Sequence, residues 1–243
     1  MTHTIYAMGD IHGQLEMLED ALALIEEDGG ADAHIIFLGD YVDRGANSKA
    51  VIERLVQGKA AGKPWRFLKG NHDRMFEWFM EPVPRHDPHL LVGYHWLHER
   101  LGGTTTLASY GVDVGERRRL FAVHEEAQVA VPLSHKRFLQ DCEVSISQGP
   151  LFFCHAGVRP GVALIDQTED DLVWIREEFG SDTRDHGALV VHGHTPVDKP
   201  LHAGNHVNLD TGAGYGKPLT VAVFEGTKIN VLTKAGRQPL RHS

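Results

Sequence analysis

Short apolar runs alternate with longer amphipathic stretches along this chain. Ile5-Tyr6-Ala7-Met8, His34-Ile35-Ile36-Phe37-Leu38, Trp65-Arg66-Phe67-Leu68 and Leu151-Phe152-Phe153-Cys154 are short, apolar and rich in β-branched or aromatic residues, which predicts buried strands. Between the first three, Leu15, Leu18, Leu22 and Ile25, and then Val51, Ile52, Leu55 and Val56, recur at helical spacing, predicting helices over about 15–27 and 48–59. The order is β-α-β-α-β, a pattern whose functional residues gather beyond the C-terminal ends of the strands. From Arg74 to about Gln140 the pattern turns helical and irregular, broken by Pro82, Pro84, Pro88 and Gly102-Gly103, and reads as a mostly helical insertion at about 74–140 flanking the site. The last third returns to strands at 188–191, 206–209, 219–224 and 228–232, so closely spaced that they predict a second sheet of antiparallel strands. No internal repeat is visible.

Length and composition narrow the class. The 243 residues suit a single α/β domain over 1–243, with 42% hydrophobic and 23% charged residues, ordinary for a globular protein. No apolar stretch is long enough to span a bilayer. Met1-Thr2-His3-Thr4 carries no basic segment followed by an apolar run, so a cytoplasmic location is expected, with no membrane partner. Cys142 and Cys154 are too few and too far apart for a disulfide framework or a redox pair and read as reduced thiols. A formal net charge of -9 argues against nucleic-acid binding but not against an anionic substrate, because metal ions and arginines can reverse the potential in one cleft. The 17 histidines raise the question of metal ligation, which their positions must answer.

Those positions are informative. Gly9-Asp10-Ile11-His12-Gly13 follows the first strand, Gly39-Asp40-Tyr41-Val42-Asp43-Arg44-Gly45 the second, and Gly70-Asn71-His72-Asp73 the third. A carboxylate beside an imidazole suits a divalent first-row ion, Asn71 offers a neutral carbonyl oxygen, and His72 a proton carrier. Taken singly, the first motif reads equally as a helix-capping turn and the second as a solvated turn with an ion pair. Three successive strands ending this way exceed turn chemistry. Cys154-His155-Ala156-Gly157 and Val191-His192-Gly193-His194-Thr195-Pro196 add imidazoles at later strand ends.

The five blocks together resemble the calcineurin-like metallophosphoesterase superfamily, and within it the phosphoprotein phosphatase branch of bacterial and bacteriophage lambda-type serine/threonine protein phosphatases. The resemblance spans nearly the whole chain and is weakest between Arg74 and Gln140. It implies an α/β fold, an αββα sandwich of two mixed β-sheets flanked by helices, and a hydrolase with a dinuclear metal site. One ion would sit on Asp10 and His12, the other on Asn71, His155 and His194, with Asp40 bridging. Such a carboxylate holds two dications roughly 3.5–4 Å apart and lets a shared water lose its proton near neutral pH, giving the hydroxide nucleophile. Manganese is the choice from the resemblance and the oxygen-rich first site; iron and zinc also suit the donors. By the same resemblance His72 is the general acid, hydrogen-bonded to Asp43, and Arg44 grips phosphate oxygens; Arg44 alone reads also as a salt bridge holding its loop. Arg176 is the candidate second phosphate-binding arginine, with Arg184 in the same stretch. His192 reads as packed rather than ligating.

The Asp210-Thr211-Gly212-Ala213-Gly214-Tyr215-Gly216 loop lacks the Gly-Lys-Ser/Thr ending of a phosphate loop and reads as a tight turn near the site, with Tyr215 a packed turn residue or, alternatively, a border of the substrate pocket. Trp78, Tyr94 and Trp96 read as core of the insertion or walls of the substrate entrance. The expected function is that of a metal-dependent phosphomonoester hydrolase, a protein serine/threonine phosphatase acting on a phosphorylated protein or a small phosphoester substrate. The enzyme alternative is symmetrical diadenosine tetraphosphate hydrolysis, whose enzymes have Ala at the place of Asp43 and Trp at that of Thr195. A metal-loaded scaffold without catalysis is the remaining alternative, though none of the expected residues is missing.

Overall fold

A computed structural model describes residues 4–115, 117–226 and 228–242; Met1-Thr2-His3, read above for a leader, lies outside them. Strand β1 (Ile5–Met8) is followed by α1 (Leu15–Gly29), β2 (His34–Phe37), α2 (Ser48–Ala60) and β3 (Trp65–Phe67). Between Asn71 and Gln140 come four helices, α3 (Asn71–Phe79), α4 (Gly103–Ser109), α5 (Leu120–Ala130) and α6 (Leu133–Gln140). Then follow β4 (Ser145–Gln148), β5 (Leu151–Cys154), the short helices α7 (Glu169–Trp174) and α8 (Glu177–Gly180), β6 (Leu189–His192), β7 (Leu201–His202) and β8 (His206–Asn208). The chain closes with β9 (Val221–Glu225), β10 (Lys228–Thr233) and β11 (Gly236–Pro239).

The strands form two mixed sheets, a six-stranded one ordered β11-β10-β9-β1-β2-β3 and a five-stranded one ordered β4-β5-β6-β8-β7. Side-chain alternation explains why the predicted strands are apolar throughout. On β1 and β2, Tyr6, Met8, Ile35 and Phe37 face the core shared with α1 and α2, whereas Ile5, Ala7 and Ile36 face Phe153, Val191 and Val207 of the other sheet. On β5, Phe152 and Cys154 turn outward to Leu172 and Phe179 of α7 and α8. Each sheet is buried on both faces, so strands such as β1 and β5 carry apolar or aromatic side chains on both sides.

The predicted antiparallel second sheet is corrected. Of the last strands, β9 and β10 do not join it: β9 pairs antiparallel with β1, filling the edge that β2 leaves open, and β10 pairs with β9. The second sheet instead has β5, β6 and β8 parallel, with antiparallel edges at β4 and β7. Close spacing in sequence indicates that strands are connected by short loops, not which sheet receives them. The correction matters for the site, because β1, β2 and β3 are parallel in one sheet and β5, β6 and β8 in the other, so six strands deliver the residues after their C-terminal ends. No described helix is long and apolar enough to cross a membrane, and Cys142 and Cys154 are free thiols in the core.

Candidate metal centre

The turns beyond those strand ends have unusual backbones. Among the described residues, the non-glycine residues with positive φ are His12 (47°), Asp40 (52°), Asp43 (72°), Arg44 (67°) and His194 (66°), all of them sequence-predicted site residues. Each such conformation costs on the order of 1–3 kcal/mol and persists only where the surroundings hold it. Here Asp73, on the first turn of α3, does much of the holding. Its Oδ2 accepts from the backbone N–H of Asp40 at 2.7 Å and of Gly70 at 2.9 Å, and its Oδ1 from Tyr41 N–H at 2.9 Å. One carboxylate thereby joins the turn after β2 to the turn after β3, and its reach to the residue preceding the helix is half of a capping box.

Two glycines in the motifs are required by close approach. A Cβ on Gly70 would lie 2.1 Å from Asp40 Oδ1, and one on Gly193 would lie 2.0 Å from Asp10 Oδ1. Both carboxylates pass through space that any other residue would occupy.

Asp40 stands at the centre. Its Oδ2 is 3.4 Å from His12 Nε2 and its Oδ1 3.5 Å from His155 Nε2. Two groups that could hold a metal ion share it: His12, Asp40 and His72, and Asp40, His155 and His194, with potential ligand atoms within 4.8 Å of one another in each group. Asn71 Oδ1 adjoins the second, 3.1 Å from His155 Nε2 and 2.9 Å from His194 Nδ1. Asp10 is fixed by the His194 N–H, 3.2 and 3.1 Å from its two oxygens. The first group thus contains His72, which the sequence reading gave to proton transfer.

The donor chemistry fits cations. His12 Nδ1 and His155 Nδ1 each lie 2.8 Å from a backbone carbonyl, of Val42 and Leu38 respectively. Neutral rings donate there and keep lone pairs on Nε2, the nitrogens that face Asp40. Burial depresses the pKa values of His12, His155 and His194, leaving neutral imidazoles as ligation requires. Burial alone would raise the pKa of Asp40, but His155, His72, His12 and His194 hold it well below the ordinary carboxylate range. Asp10 is pushed up by burial, then by Asp210 and Asp40, and Asp210 is pushed up to about 6, first by burial and also by Asp40. Cations bound among these buried carboxylates would stabilise their charged forms.

A second assembly adjoins the first. His72 Nδ1 donates to Asp43 Oδ2 at 2.6 Å. The fully buried Asp43 carboxylate also accepts from Trp96 Nε1 at 2.8 Å and Thr106 Oγ at 2.6 Å. Arg44 Nη1 donates to His12 Nε2 at 2.8 Å, its Nη2 lies 3.3 Å from His72 Nε2, and its guanidinium lies 4.7 Å from the centre of the Tyr215 ring. Tyr215 is 64% exposed, so its reading as a packed turn residue is corrected: the ring lies over the Arg44 guanidinium.

Arg176 is exposed, and its charge lowers the pKa values of His155 and His194. Arg184 is engaged with Asp182 at 2.8 Å. His192 is buried, its Nδ1 3.1 Å from the Gly193 carbonyl and its ring packed on Phe179 and His206; burial and then His206 push it down to about 3.

Sequence reasoning missed four contributors. Asp73 and Asp210 carried a visible signal, since each is an acid within a strand-end block, but one was absorbed into a ligand motif and the other into a glycine-rich turn. Thr106 and Trp96 carried none as partners of Asp43, because nothing local distinguishes a Trp that donates to a carboxylate from one that fills a core.

The calcineurin-like phosphoesterase family matches residues 3–218 of the chain. The asymmetrical bis(5'-nucleosyl)-tetraphosphatase PrpE of Halalkalibacterium halodurans is 27% identical, over 96% of this chain and 94% of that protein; its counterpart from Geobacillus thermodenitrificans is 26% identical, over 92% of both. Among solved structures, a candidate diadenosine tetraphosphatase superposes with a TM-score of 0.66 at 21% identity, covering 100% of this chain and 96% of that one. A cold-active protein-tyrosine phosphatase from a psychrophilic Shewanella superposes with a TM-score of 0.63 at 16% identity, covering 99% and 81%. Both structural likenesses concern the fold. The family carries two divalent metal ions, and the two groups meeting at Asp40 are of the kind that could hold them. By the extent of the family match, borne on these strand-end motifs, the chain belongs to the calcineurin-like phosphoesterases and is a metal-dependent phosphoester hydrolase.

Proposed function

We propose that this hydrolase cleaves the phosphate chain of dinucleoside tetraphosphates. The observation that carries this reading is the end-to-end similarity to asymmetrical bis(5'-nucleosyl)-tetraphosphatases, 27% identical with 96% of this chain and 94% of the relative covered. The Asp43 and Thr195 features that separate this chain from symmetrical hydrolases do not speak against asymmetrical ones.

In this reading Asp10 and His12 would hold one cation, Asn71, His155 and His194 the other, and Asp40 would contribute to both. Bound there, two divalent ions supply Lewis acidity toward phosphoryl oxygens and a lowered pKa for water. The protein's own groups do the rest. Arg44 places its planar fork on non-bridging oxygens, where charge spreads in the transition state, with Arg176 as a second cation at the rim. Asp43 accepts from His72 Nδ1–H and orients the ring; with Nε2 protonated as well, His72 would pass its Nε2 proton to the departing oxygen and be left neutral, still donating to Asp43.

The same dyad favours a second reading, hydrolysis of phosphomonoesters of serine, threonine or tyrosine. An alkoxide leaving group needs a proton far more than a nucleotide phosphate does, and the 2.6 Å Asp43–His72 hydrogen bond supports a group that can deliver one. The two readings separate when kcat/KM is measured with manganese on diadenosine tetraphosphate and on a phosphoserine peptide, with chromatography of the products. The first predicts faster cleavage of the dinucleotide to AMP and ATP. Faster release of phosphate from the peptide would overturn it in favour of the second.

A further inference from the structure

His194 differs from the other imidazoles around Asp40 in how its ring is held. His12 and His155 each place Nδ1 on a backbone carbonyl at 2.8 Å, the kind of second hydrogen bond that fixes a ligating ring. His194 turns Nδ1 toward Asn71 Oδ1 at 2.9 Å, and its buried Nε2 has no hydrogen-bond partner among the described residues. Packing must orient this ring instead. Two rings stand against it: His155, with centroids 5.0 Å apart, and Trp174 at the end of α7, 6.0 Å away with 84° between the planes.

Trp174 is in turn fixed by Asp87, a carboxylate of the insertion. The indole Nε1 donates to Asp87 Oδ2 at 3.1 Å, and the indole stacks on the His89 ring at 5.3 Å, with the His89 backbone N–H donating to Asp87 Oδ1 at 3.1 Å. Asp87 is buried, and its Oδ2 also accepts from Arg74 Nε at 3.0 Å. Arg74 is itself 1% exposed and donates through Nη1 to Asp170 of α7 at 2.6 Å. On α3 it stands three residues after Asn71, a spacing that puts the two on neighbouring turns of one side. The contacts therefore close a ring: α3 presents Asn71 to His194 directly, and through Arg74, Asp87 and Trp174 it also sets the surface on which that imidazole rests. Resting on the ligand role proposed for His194 above, we infer that Asp87 and Trp174 are positioning residues for the second cation group. Asp87 fixes the indole, and the indole keeps the His194 ring turned with Nδ1 beside Asn71 Oδ1, so that the two donors meet a cation without first being ordered.

Trp174→Phe keeps an aromatic ring and removes the N–H, whereas Asp87→Ala removes the acceptor; where the latter does not fold, the former decides alone. Calorimetric titration of the metal-stripped protein with manganese reads the two equivalents separately. His194→Ala is the reference for loss of the ligand, and Asp28→Asn, at the ion pair with Arg237, the reference for lost stability alone. The expected result is one equivalent weakened by about tenfold in both variants with the other kept, and both kept in Asp28→Asn. Turnover of p-nitrophenyl phosphate by Trp174→Phe should then climb back toward the parent rate at saturating manganese, which a misfolded centre would not do. Parent affinity for both equivalents in Trp174→Phe, when His194→Ala has lost one, overturns the positioning role and leaves the ligand in place. Equal weakening of both equivalents marks general damage and overturns it as well. Two equivalents retained by His194→Ala would defeat the ligand reading, and this inference with it.

Discussion

Asp73→Asn tests whether the centre is held by its backbone. The carboxylate accepts three backbone N–H groups, two on Oδ2 and one on Oδ1. An asparagine has a single oxygen. Placed at Oδ2 it keeps Asp40 N–H and Gly70 N–H but turns its NH₂ toward Tyr41 N–H; placed at Oδ1 it loses the other two. At least one fully buried donor is left facing another donor, at a cost of about 1–3 kcal/mol, and the remaining bonds lose their charge assistance. Relief works in the other direction, because burial and the nearby Asp40 carboxylate raise the pKa of Asp73 while the three N–H groups pull it down. A net loss of about 1–2 kcal/mol follows, which in a chain of this size lowers Tm by about 2–8 °C. The freed turn also holds Asp40 at φ 52°, so kcat/KM for p-nitrophenyl phosphate falls by roughly 10–100-fold. Thermal melts and turnover with manganese decide the matter. A Tm within about 1 °C of the parent, with turnover retained, would refute the claim that these three bonds hold the strained turns.

Gly193→Ala places a methyl where Asp10 Oδ1 now lies, so metal titration followed by calorimetry should show weaker binding of one equivalent, whereas unchanged binding of both would count against Asp10 as a ligand. His72→Asn should lower turnover of an alkyl phosphate far more than that of p-nitrophenyl phosphate, whose leaving group scarcely needs a proton; equal losses would remove His72 from proton transfer. Away from the site, the Asp28 pKa is lowered chiefly by its hydrogen bonds from Arg237, with one from Tyr6. A depressed carboxylate pKa stabilises the fold above the ordinary value of about 4 and stops doing so as pH falls through the folded value. Asp28→Asn should therefore cost about 1 kcal/mol, some 2–4 °C in Tm, at pH 7 and progressively less below about pH 4; a pH-independent difference would contradict the pairing.

Much of this was legible because strand ends are local. Asp10, Asp40, Asn71, His155 and His194 each follow a short apolar run at once, and an apolar run followed by Gly-Asp or Gly-Asn needs no tertiary knowledge to be noticed. What pairs across space was not legible. Whether β9 adds to β1 or to β8 depends on which edge is free, and that is settled by the assembled sheets. The Trp96 N–H reaches Asp43 from 53 residues away, through an insertion whose own pattern reads as helix and core. Tyr215 lay in a loop that the sequence placed near the site, but its contact with Arg44, from a turn 171 positions earlier, is set by the assembled fold.

The central claim is that Asp40 is shared by two cation groups, and metal stoichiometry tests it most directly. Protein and Asp40→Asn variant, both stripped and resupplied with manganese, are to be dialysed and analysed by mass spectrometry for bound metal alongside turnover of p-nitrophenyl phosphate. The account predicts about two equivalents on the parent, loss from both groups in the variant, and turnover lower by at least about a thousandfold. A variant that keeps two tightly bound ions would contradict it.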